Sequence, residues 1–124
     1  MITRIHHIQL CAPPNSEVQA RRFYGDLLGM LEIHKPPDLA MRGGVWFELG
    51  EGQQVHLGVE ADFVAPRKAH PALSVAGLAE LRAKLQAAGY VTESDELLPG
   101  YDRFYVRDPF GNRLEFLEPL PASG

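Results

Sequence analysis

The chain has 124 residues, of which 45% are hydrophobic and 23% charged, and its formal net charge is −4. This length is enough for one domain with its own core, and the acidic balance argues against nucleic acid or an anionic membrane surface as a partner. The sequence shows no apolar run of membrane-spanning length, no signal-peptide pattern, and a single cysteine, Cys11, so no disulfide framework. We therefore expect a cytoplasmic protein.

The first half of the chain predicts the order β-α-β-β-β. Ser16 and Gln19 have the spacing of a capping box, and an apolar stripe at helical spacing follows them. Residues 36–44 read as a loop that begins with two prolines and ends with two glycines. The predicted elements are strands at 4–12, 31–35, 45–49 and 54–60 and one helix at 16–28.

The second half repeats this order after a short polar connector, residues 61–69. Here the predicted elements are strands at 70–75, 90–93, 104–107 and 113–117 and a helix at 77–88. We therefore predict a single α+β domain, residues 1–124, built from two βαβββ modules. The first module covers about 1–60 and the second about 70–119.

Polar side chains recur at matching positions of the two modules, at a spacing of about 60 residues. The segment His7-Ile8-Gln9-Leu10-Cys11-Ala12 has the form of His70-Pro71-Ala72-Leu73-Ser74-Val75, and Val55-His56-Leu57 has the form of Leu114-Glu115-Phe116. Because strand residues alternate between faces, the apolar neighbours should pack under the helices and the polar residues should lie on the opposite faces. Three imidazoles and one carboxylate suit a zinc, nickel, manganese, iron or cobalt ion. The candidate metal ligands are His7, His56, His70 and Glu115.

The same segments carry a resemblance to a known superfamily. Together with Tyr105-Val106-Arg107-Asp108-Pro109-Phe110-Gly111-Asn112-Arg113-Leu114-Glu115-Phe116, they make the chain similar to the vicinal oxygen chelate proteins over residues 1–119. This superfamily includes glyoxalase I, fosfomycin-resistance enzymes, extradiol dioxygenases and bleomycin-binding proteins. The resemblance implies that two modules form a cup around a divalent metal ion. It also implies a homodimer in which His7 and His56 of one chain face His70 and Glu115 of the other.

Two positions separate members of the superfamily. Glyoxalase I usually has a glutamate where this chain has His56, so Glu115 would be the single carboxylate ligand and the candidate catalytic residue. The fosfomycin-resistance type uses two histidines and a glutamate, which matches His7, His70 and Glu115, and Tyr105 lies where some of those enzymes place a substrate-facing tyrosine. The sequence does not reveal the set of basic residues that a phosphonate pocket would need.

The resemblance implies a glyoxalase-like enzyme in which a divalent metal chelates a small oxygenated substrate, with isomerase, lyase, dioxygenase-like or epoxide-opening chemistry. The alternatives are a metal-free protein that sequesters a ligand, as bleomycin-binding relatives do, and a transferase of the fosfomycin-resistance type. Candidate substrate-binding residues are Tyr105, Arg42 and Trp46, although the two aromatic residues also suit core packing and Arg42 also suits a solvated surface.

Overall fold

The computed structural model describes residues 1–122. The chain divides into two compact units, the first ending at Ala65 and the second beginning at Pro66. Each unit contains one four-stranded sheet and a helix of two to three turns. The predicted α+β fold of two repeated modules is therefore confirmed.

The first unit has its strands in the spatial order β1-β4-β3-β2. Strand β4 is central, parallel to β1 and antiparallel to β3. The strands are β1 (His7–Ala12), β2 (Leu31–Ile33), β3 (Val45–Glu48) and β4 (Gln54–Val59). Helix α1 (Glu17–Ala20) continues directly as a π-helical segment (Arg21–Leu27), α2 (Pro37–Ala40) lies in the predicted loop, and a 3₁₀ turn (Gly50–Gly52) joins β3 to β4.

The second unit repeats this topology with the order β5-β8-β7-β6. Strand β8 is central, parallel to β5 and antiparallel to β7. The strands are β5 (Ala72–Ser74), β6 (Thr92–Glu93), β7 (Tyr101–Arg107) and β8 (Arg113–Pro119), and helix α3 (Leu78–Ala87) follows β5. Both units thus have a central strand that is paired on both sides. This strand carries His56 in the first unit and Glu115 in the second.

The first helix differs from its prediction in two details. The Ser16 hydroxyl donates to the Pro13 carbonyl at 2.6 Å instead of capping the helix, so the predicted capping box is wrong. The backbone N–H of Leu28 donates to the Phe23 carbonyl at 3.0 Å, five residues back, which is the π-helical pattern. The helix nevertheless occupies the predicted stretch of chain.

Each helix packs on one face of its own sheet. In the first unit the rings of Tyr24 and Phe47 are 5.7 Å apart, and both side chains are fully buried. In the second unit Phe104 and Phe116 lie 5.5 Å apart and are buried together with Leu85 on α3. Each of these side chains contributes about 1.5–3 kcal/mol when it leaves water. The opposite sheet faces, called here the helix-free faces, carry the polar residues.

One glycine is required by the start of β3. A Cβ atom at Gly44 would lie 2.1 Å from the Leu57 carbonyl oxygen, and the residue has a φ of +86°. An L side chain meets both a backbone clash and an unfavourable conformation there. Among the described residues, no helix is long and apolar enough to cross a bilayer.

Candidate metal centre

The sheet register places Glu115 and His56 on the helix-free faces, whereas His70 lies just before β5. Glu115 on β8 is paired with Ala72 of β5 and Tyr105 of β7, and paired residues point to the same side of a sheet. Its neighbours Leu114 and Phe116 are buried on the helix side, as the alternation predicted. In the first unit, His56 on β4 is paired in the same way with Gln9 and Trp46.

His70 and Glu115 form a close pair in the second unit. The His70 Nε2 atom lies 2.9 Å from Glu115 Oε1, and the Glu115 side chain is almost completely buried. The His70 Nδ1 atom lies 2.8 Å from the backbone carbonyl of Lys68. Because a carbonyl oxygen accepts and does not donate, Nδ1 carries a proton and donates it to Lys68.

This tautomer has a consequence for the other ring nitrogen. A neutral His70 that is protonated at Nδ1 turns a bare lone pair at Nε2 towards a carboxylate oxygen 2.9 Å away. Two lone-pair atoms at this distance require something between them, which is either a proton or a metal ion. Two ligands at right angles around one ion, each at roughly 2.1 Å, are about 3.0 Å apart. The spacing of the pair therefore fits both occupants.

The second carboxylate oxygen of Glu115 is held by its own neighbours. Arg103 Nη1 lies 3.5 Å from Glu115 Oε2 and 3.0 Å from the Tyr105 hydroxyl. Burial alone would raise the pKa of Glu115, but hydrogen bonds from His70 and Tyr105 and the charge of Arg103 hold it below its ordinary value. Burial, and then the charge of Glu115, raise the pKa of Tyr105. At neutral pH Glu115 is therefore ionised and Tyr105 keeps its proton.

The corresponding residues of the first unit form an aromatic stack. The His56 ring is stacked between the rings of Trp46 and His7. Its centroid lies 3.9 Å from that of Trp46, with an angle of 3° between the ring planes, and 4.2 Å from that of His7, with an angle of 16°. His56 Nε2 lies 2.8 Å from the Gln54 side-chain oxygen, which can only accept, so this nitrogen donates to Gln54. Burial, followed by the influence of His7, His6 and Lys35, lowers the pKa of His56 to about 4. His56 is thus neutral at physiological pH.

The two units differ in how well they fit a metal ion. The lone pair of an imidazole nitrogen lies in the plane of its ring, so the lone pairs of two stacked rings lie in separate, nearly parallel planes. Those of His7 and His56 do not meet at a point about 2 Å from both nitrogens. Within residues 1–122 no three His, Cys, Asp or Glu side chains form a cluster suited to a metal ion. The four-ligand set remains a prediction, and its best-formed part is His70 with Glu115.

The three candidate substrate-binding residues lie in different units. Tyr105 is buried beside the metal-candidate pair, with its ring 5.2 Å from that of His70. Arg42 and Trp46 line one cleft of about 280 Å³ in the first unit, together with Lys35 and Gln9. Arg42 is exposed, whereas one face of the Trp46 ring is covered by His56.

The sequence reasoning missed the basic side chains around Glu115. Arg103 contacts Glu115 directly, and Arg113 places its guanidinium carbon 4.0 Å from the centre of the Tyr105 ring. The period of two shows that Arg103, Tyr105 and Arg107 share one face of β7, but the register that sets this face beside Glu115 is seen only in the structure. The sequence did not reveal a set of basic residues, and the structure brings Arg103, Arg107 and Arg113 together on this face.

The chain is similar to known proteins in both sequence and structure. A family model described as the Glyoxalase/Bleomycin resistance protein/Dioxygenase superfamily matches residues 4–116. A protein of Bacillus anthracis assigned to the glyoxalase family superposes with a TM-score of 0.92 at 45% identity, with 97% of this chain and 98% of that chain covered. A comparison with curated protein sequences gives no match.

Two further solved structures share the fold at lower identity. Lactoylglutathione lyase from Agrobacterium tumefaciens has a TM-score of 0.73 at 25% identity, and 95% of each chain is covered. The fosfomycin resistance protein FosX from Listeria monocytogenes has a TM-score of 0.79 at 17% identity, with 97% of this chain and 95% of that chain covered. That FosX structure is a point mutant in complex with Mn(II) and 1S,2S-dihydroxypropylphosphonic acid.

Proposed function

Because this chain belongs to the glyoxalase/bleomycin resistance protein/dioxygenase superfamily, we propose that it is a divalent-metal-dependent enzyme acting on a small oxygenated substrate. The ion would be held by His70 and Glu115, with His7 as a further ligand. His56 would join them only after leaving its stack. The chemistry belongs to the glyoxalase-like range of lyase, isomerase and epoxide-opening reactions.

One observation carries this proposal, the paired lone pairs of His70 Nε2 and Glu115 Oε1. The backbone carbonyl of Lys68 fixes His70 in the tautomer that presents Nε2. An imidazole whose other nitrogen donates to a backbone carbonyl is the usual arrangement of a metal-binding histidine, since that hydrogen bond sets the ring orientation. The donor set of imidazole and carboxylate suits zinc, nickel, manganese, iron or cobalt.

The residues around the pair have separate tasks. Arg103 restrains Oε2 of Glu115 and Tyr105 donates a hydrogen bond to the same carboxylate, while Oε1 faces His70 and is left for the ion. The lowered pKa of Glu115 favours a ligand that stays ionised over a general base. Tyr105 remains protonated, and its single O–H, which donates to Glu115 in the free protein, can turn to a substrate oxygen that gains negative charge. Glu115 therefore acts in catalysis by holding the ion in place.

A bound divalent ion supplies a Lewis acid that stabilises negative charge developing on a substrate oxygen. Lyase, isomerase and epoxide-opening reactions all develop such charge, which is why one pair of ligands is compatible with each of them. Among structures of the same fold, the lactoylglutathione lyase is named for lyase activity and the FosX complex holds Mn(II). These two proteins support the proposed class of reaction and of cofactor.

Metal binding is tested most directly with purified protein. Elemental analysis and calorimetric titration with Zn²⁺ and Mn²⁺ should give one ion per chain for the unmodified protein. The variants His70→Ala and Glu115→Gln should lose most of the bound metal. His34→Ala is the matched control, because His34 is an exposed histidine outside both candidate pairs. Full retention of metal in both variants would refute the assignment.

A second function, metal-free sequestration of a ligand, is favoured by the first unit. There the candidate ligands His7 and His56 are stacked rings, and Trp46 lines a cleft of about 280 Å³ with Lys35 and Arg42. Trp46 is the only tryptophan of the chain, so its fluorescence reports on this cleft. A ligand that quenches it equally well before and after treatment with a chelator would support sequestration, whereas quenching that needs added metal would support the enzyme.

A further inference from the structure

Three arginines share the helix-free face of the second sheet with Glu115. Arg103 and Arg107 flank Tyr105 on β7 at a period of two, and Tyr105 is paired directly with Glu115. Arg107 is paired with Arg113 of β8, two residues before Glu115. The alternation of strand residues therefore collects these cations on one surface. This concentration stands out in a chain whose net charge is −4.

Within residues 1–122, two of these arginines have no carboxylate partner. Arg107 donates to the carbonyls of Gly111 at 2.8 Å and Arg67 at 3.2 Å. Arg113 donates to the carbonyl of Lys68 at 3.4 Å. In the described part of the chain, the ion pairs formed by arginine involve Arg21 and Arg103 instead. A carbonyl fixes a guanidinium in place without neutralising it, so Arg107 and Arg113 are oriented and keep their full positive charge.

A small cleft lies beside these two guanidinium groups. It measures about 150 Å³ and is lined by Tyr105, Arg107 and Arg113, with Glu93 and Val91 from the neighbouring strand region. At about 30 Å³ per water molecule in the liquid, this volume corresponds to roughly five water molecules. A single carboxylate or phosphoryl group fits within this volume. Two guanidinium groups against one carboxylate, Glu93, leave the lining with an excess of one positive charge.

We propose that this cleft binds the anionic group of the substrate, a carboxylate or a phosphoryl oxyanion, through Arg107 and Arg113. The planar guanidinium matches the paired oxygens of both groups. Stacking on the Tyr105 ring at 4.0 Å holds Arg113 in position. Since Tyr105 is also the partner of Glu115, an anion in this cleft lies next to the proposed metal ligands. The inference rests on the proposed function in identifying the anion as part of the substrate, whereas anion binding itself is independent of metal.

The test uses the full chain stripped of metal with a chelator. Inorganic phosphate and, separately, acetate are titrated into it at low ionic strength, and binding is followed by calorimetry. Arg107→Met and Arg113→Met should each weaken binding about 10-fold, the usual effect of losing one charge-assisted hydrogen bond. Arg22→Met is the matched control. It removes the same charge from an exposed position on the π-helical segment of the first unit.

The pattern across variants decides the outcome. A loss for Arg107→Met and Arg113→Met that Arg22→Met does not share supports the site, and the tighter of the two probes identifies the anionic group. Equal binding by all three variants, or no binding by the unmodified protein, overturns it. Arg113→Lys keeps the charge and should restore part of the binding, which distinguishes a lost contact from a misfolded chain.

Metal content, measured on the same variants before chelation, separates the two proposals. Normal metal binding with unchanged phosphate affinity overturns the anion site alone. Lost phosphate binding in a protein that takes up no metal supports the anion site and overturns the proposed enzyme.

Discussion

The two sheets use one backbone frame for different chemistry. In each, a central strand carries a polar residue between a parallel and an antiparallel neighbour, and the antiparallel neighbour places an aromatic residue opposite it. In the first unit the pair is His56 and Trp46, stacked ring on ring. In the second it is Glu115 and Tyr105, joined through the Tyr105 hydroxyl. The backbone therefore places the two residue pairs at equivalent positions, and the identity of the side chains determines the chemistry available there.

The two units differ in the charge of the buried residue on the central strand. Burial in an aromatic stack keeps His56 neutral, and its Nε2–H donates a hydrogen bond to the Gln54 side-chain oxygen. Glu115 is as deeply buried, but His70, Tyr105 and Arg103 stabilise its charged form. A buried carboxylate that stays ionised attracts a cation, whereas a buried neutral imidazole with an occupied nitrogen does not. We therefore expect the second unit to dominate metal binding, and the following predictions test that asymmetry.

The largest expected effect comes from exchanging the two central residues for the same neutral side chain. Glu115→Gln should weaken Zn²⁺ or Mn²⁺ binding by more than about 100-fold, because it removes a charged ligand, and loss of an outer partner alone costs about 10–100-fold. His56→Gln should change affinity by much less. Calorimetric titration of both variants measures the contrast. Equal losses would make His56 a ligand of the same rank and remove the asymmetry.

Acid should destabilise the units in separate pH windows. The pKa of His56 falls from 6.5 to about 4 on folding, so the unfolded chain takes up this proton first. The contribution of His56 to the free energy of unfolding should therefore be fully present above about pH 6.5. It should fall by about 3 kcal/mol as the pH is lowered to 4. The lowered pKa of Glu115 acts below its ordinary value of 4.5, where protonation of the folded state removes its contribution.

Urea unfolding at a series of pH values measures both windows in the metal-free protein. His56→Gln should flatten the curve between pH 6.5 and 4 and leave the lower window in place. Glu115→Gln should do the reverse. A pH dependence above 4.5 that survives in His56→Gln would assign that window to another group.

A smaller difference in metal affinity is expected between variants of Tyr105 and Trp46, the aromatic residues paired with Glu115 and His56. Tyr105→Phe removes a hydrogen bond to the ligand Glu115 and should weaken metal binding about 10-fold, the range seen for outer partners of metal ligands. Trp46→Phe keeps an aromatic ring against His56 and should leave metal affinity unchanged. Parallel titrations of the two variants measure this. A loss in Trp46→Phe as large as that in Tyr105→Phe would mean that the stack also positions a ligand.

Much of the fold could be predicted because the helix-side residues follow simple periods. Leu114 and Phe116 alternate with Glu115, and both helices lie where the apolar stripe places them. The pairing of His70 with Glu115 followed from the repeat. The stack of His56 could not be predicted, because it depends on which cross-strand neighbour faces it, and register is not visible in a single strand. Arg103 was missed since a strand arginine reads as solvated until its partner is known.

The last prediction concerns how the two units cooperate. Each supplies one pair of candidate ligands, and the family resemblance implies that pairs from two chains combine. His7→Ala damages the first pair and Glu115→Ala the second, so in a shared-site homodimer a mixed dimer has one site with both lesions and one with neither. Random exchange makes half of the dimers mixed, so about a quarter of all sites should regain metal binding.

If each chain instead closes its own site, every site in a mixed dimer keeps one lesion and no binding returns. The unmixed variants give the baseline, and mass spectrometry of the intact dimers verifies exchange. The result also bears on the asymmetry between the units. Recovery near a quarter requires that the His7 lesion abolish binding by itself, which makes the first unit a contributor of at least one ligand. Substantial binding by unmixed His7→Ala would instead leave His70 and Glu115 as the principal ligands, with the stacked histidines in a supporting position.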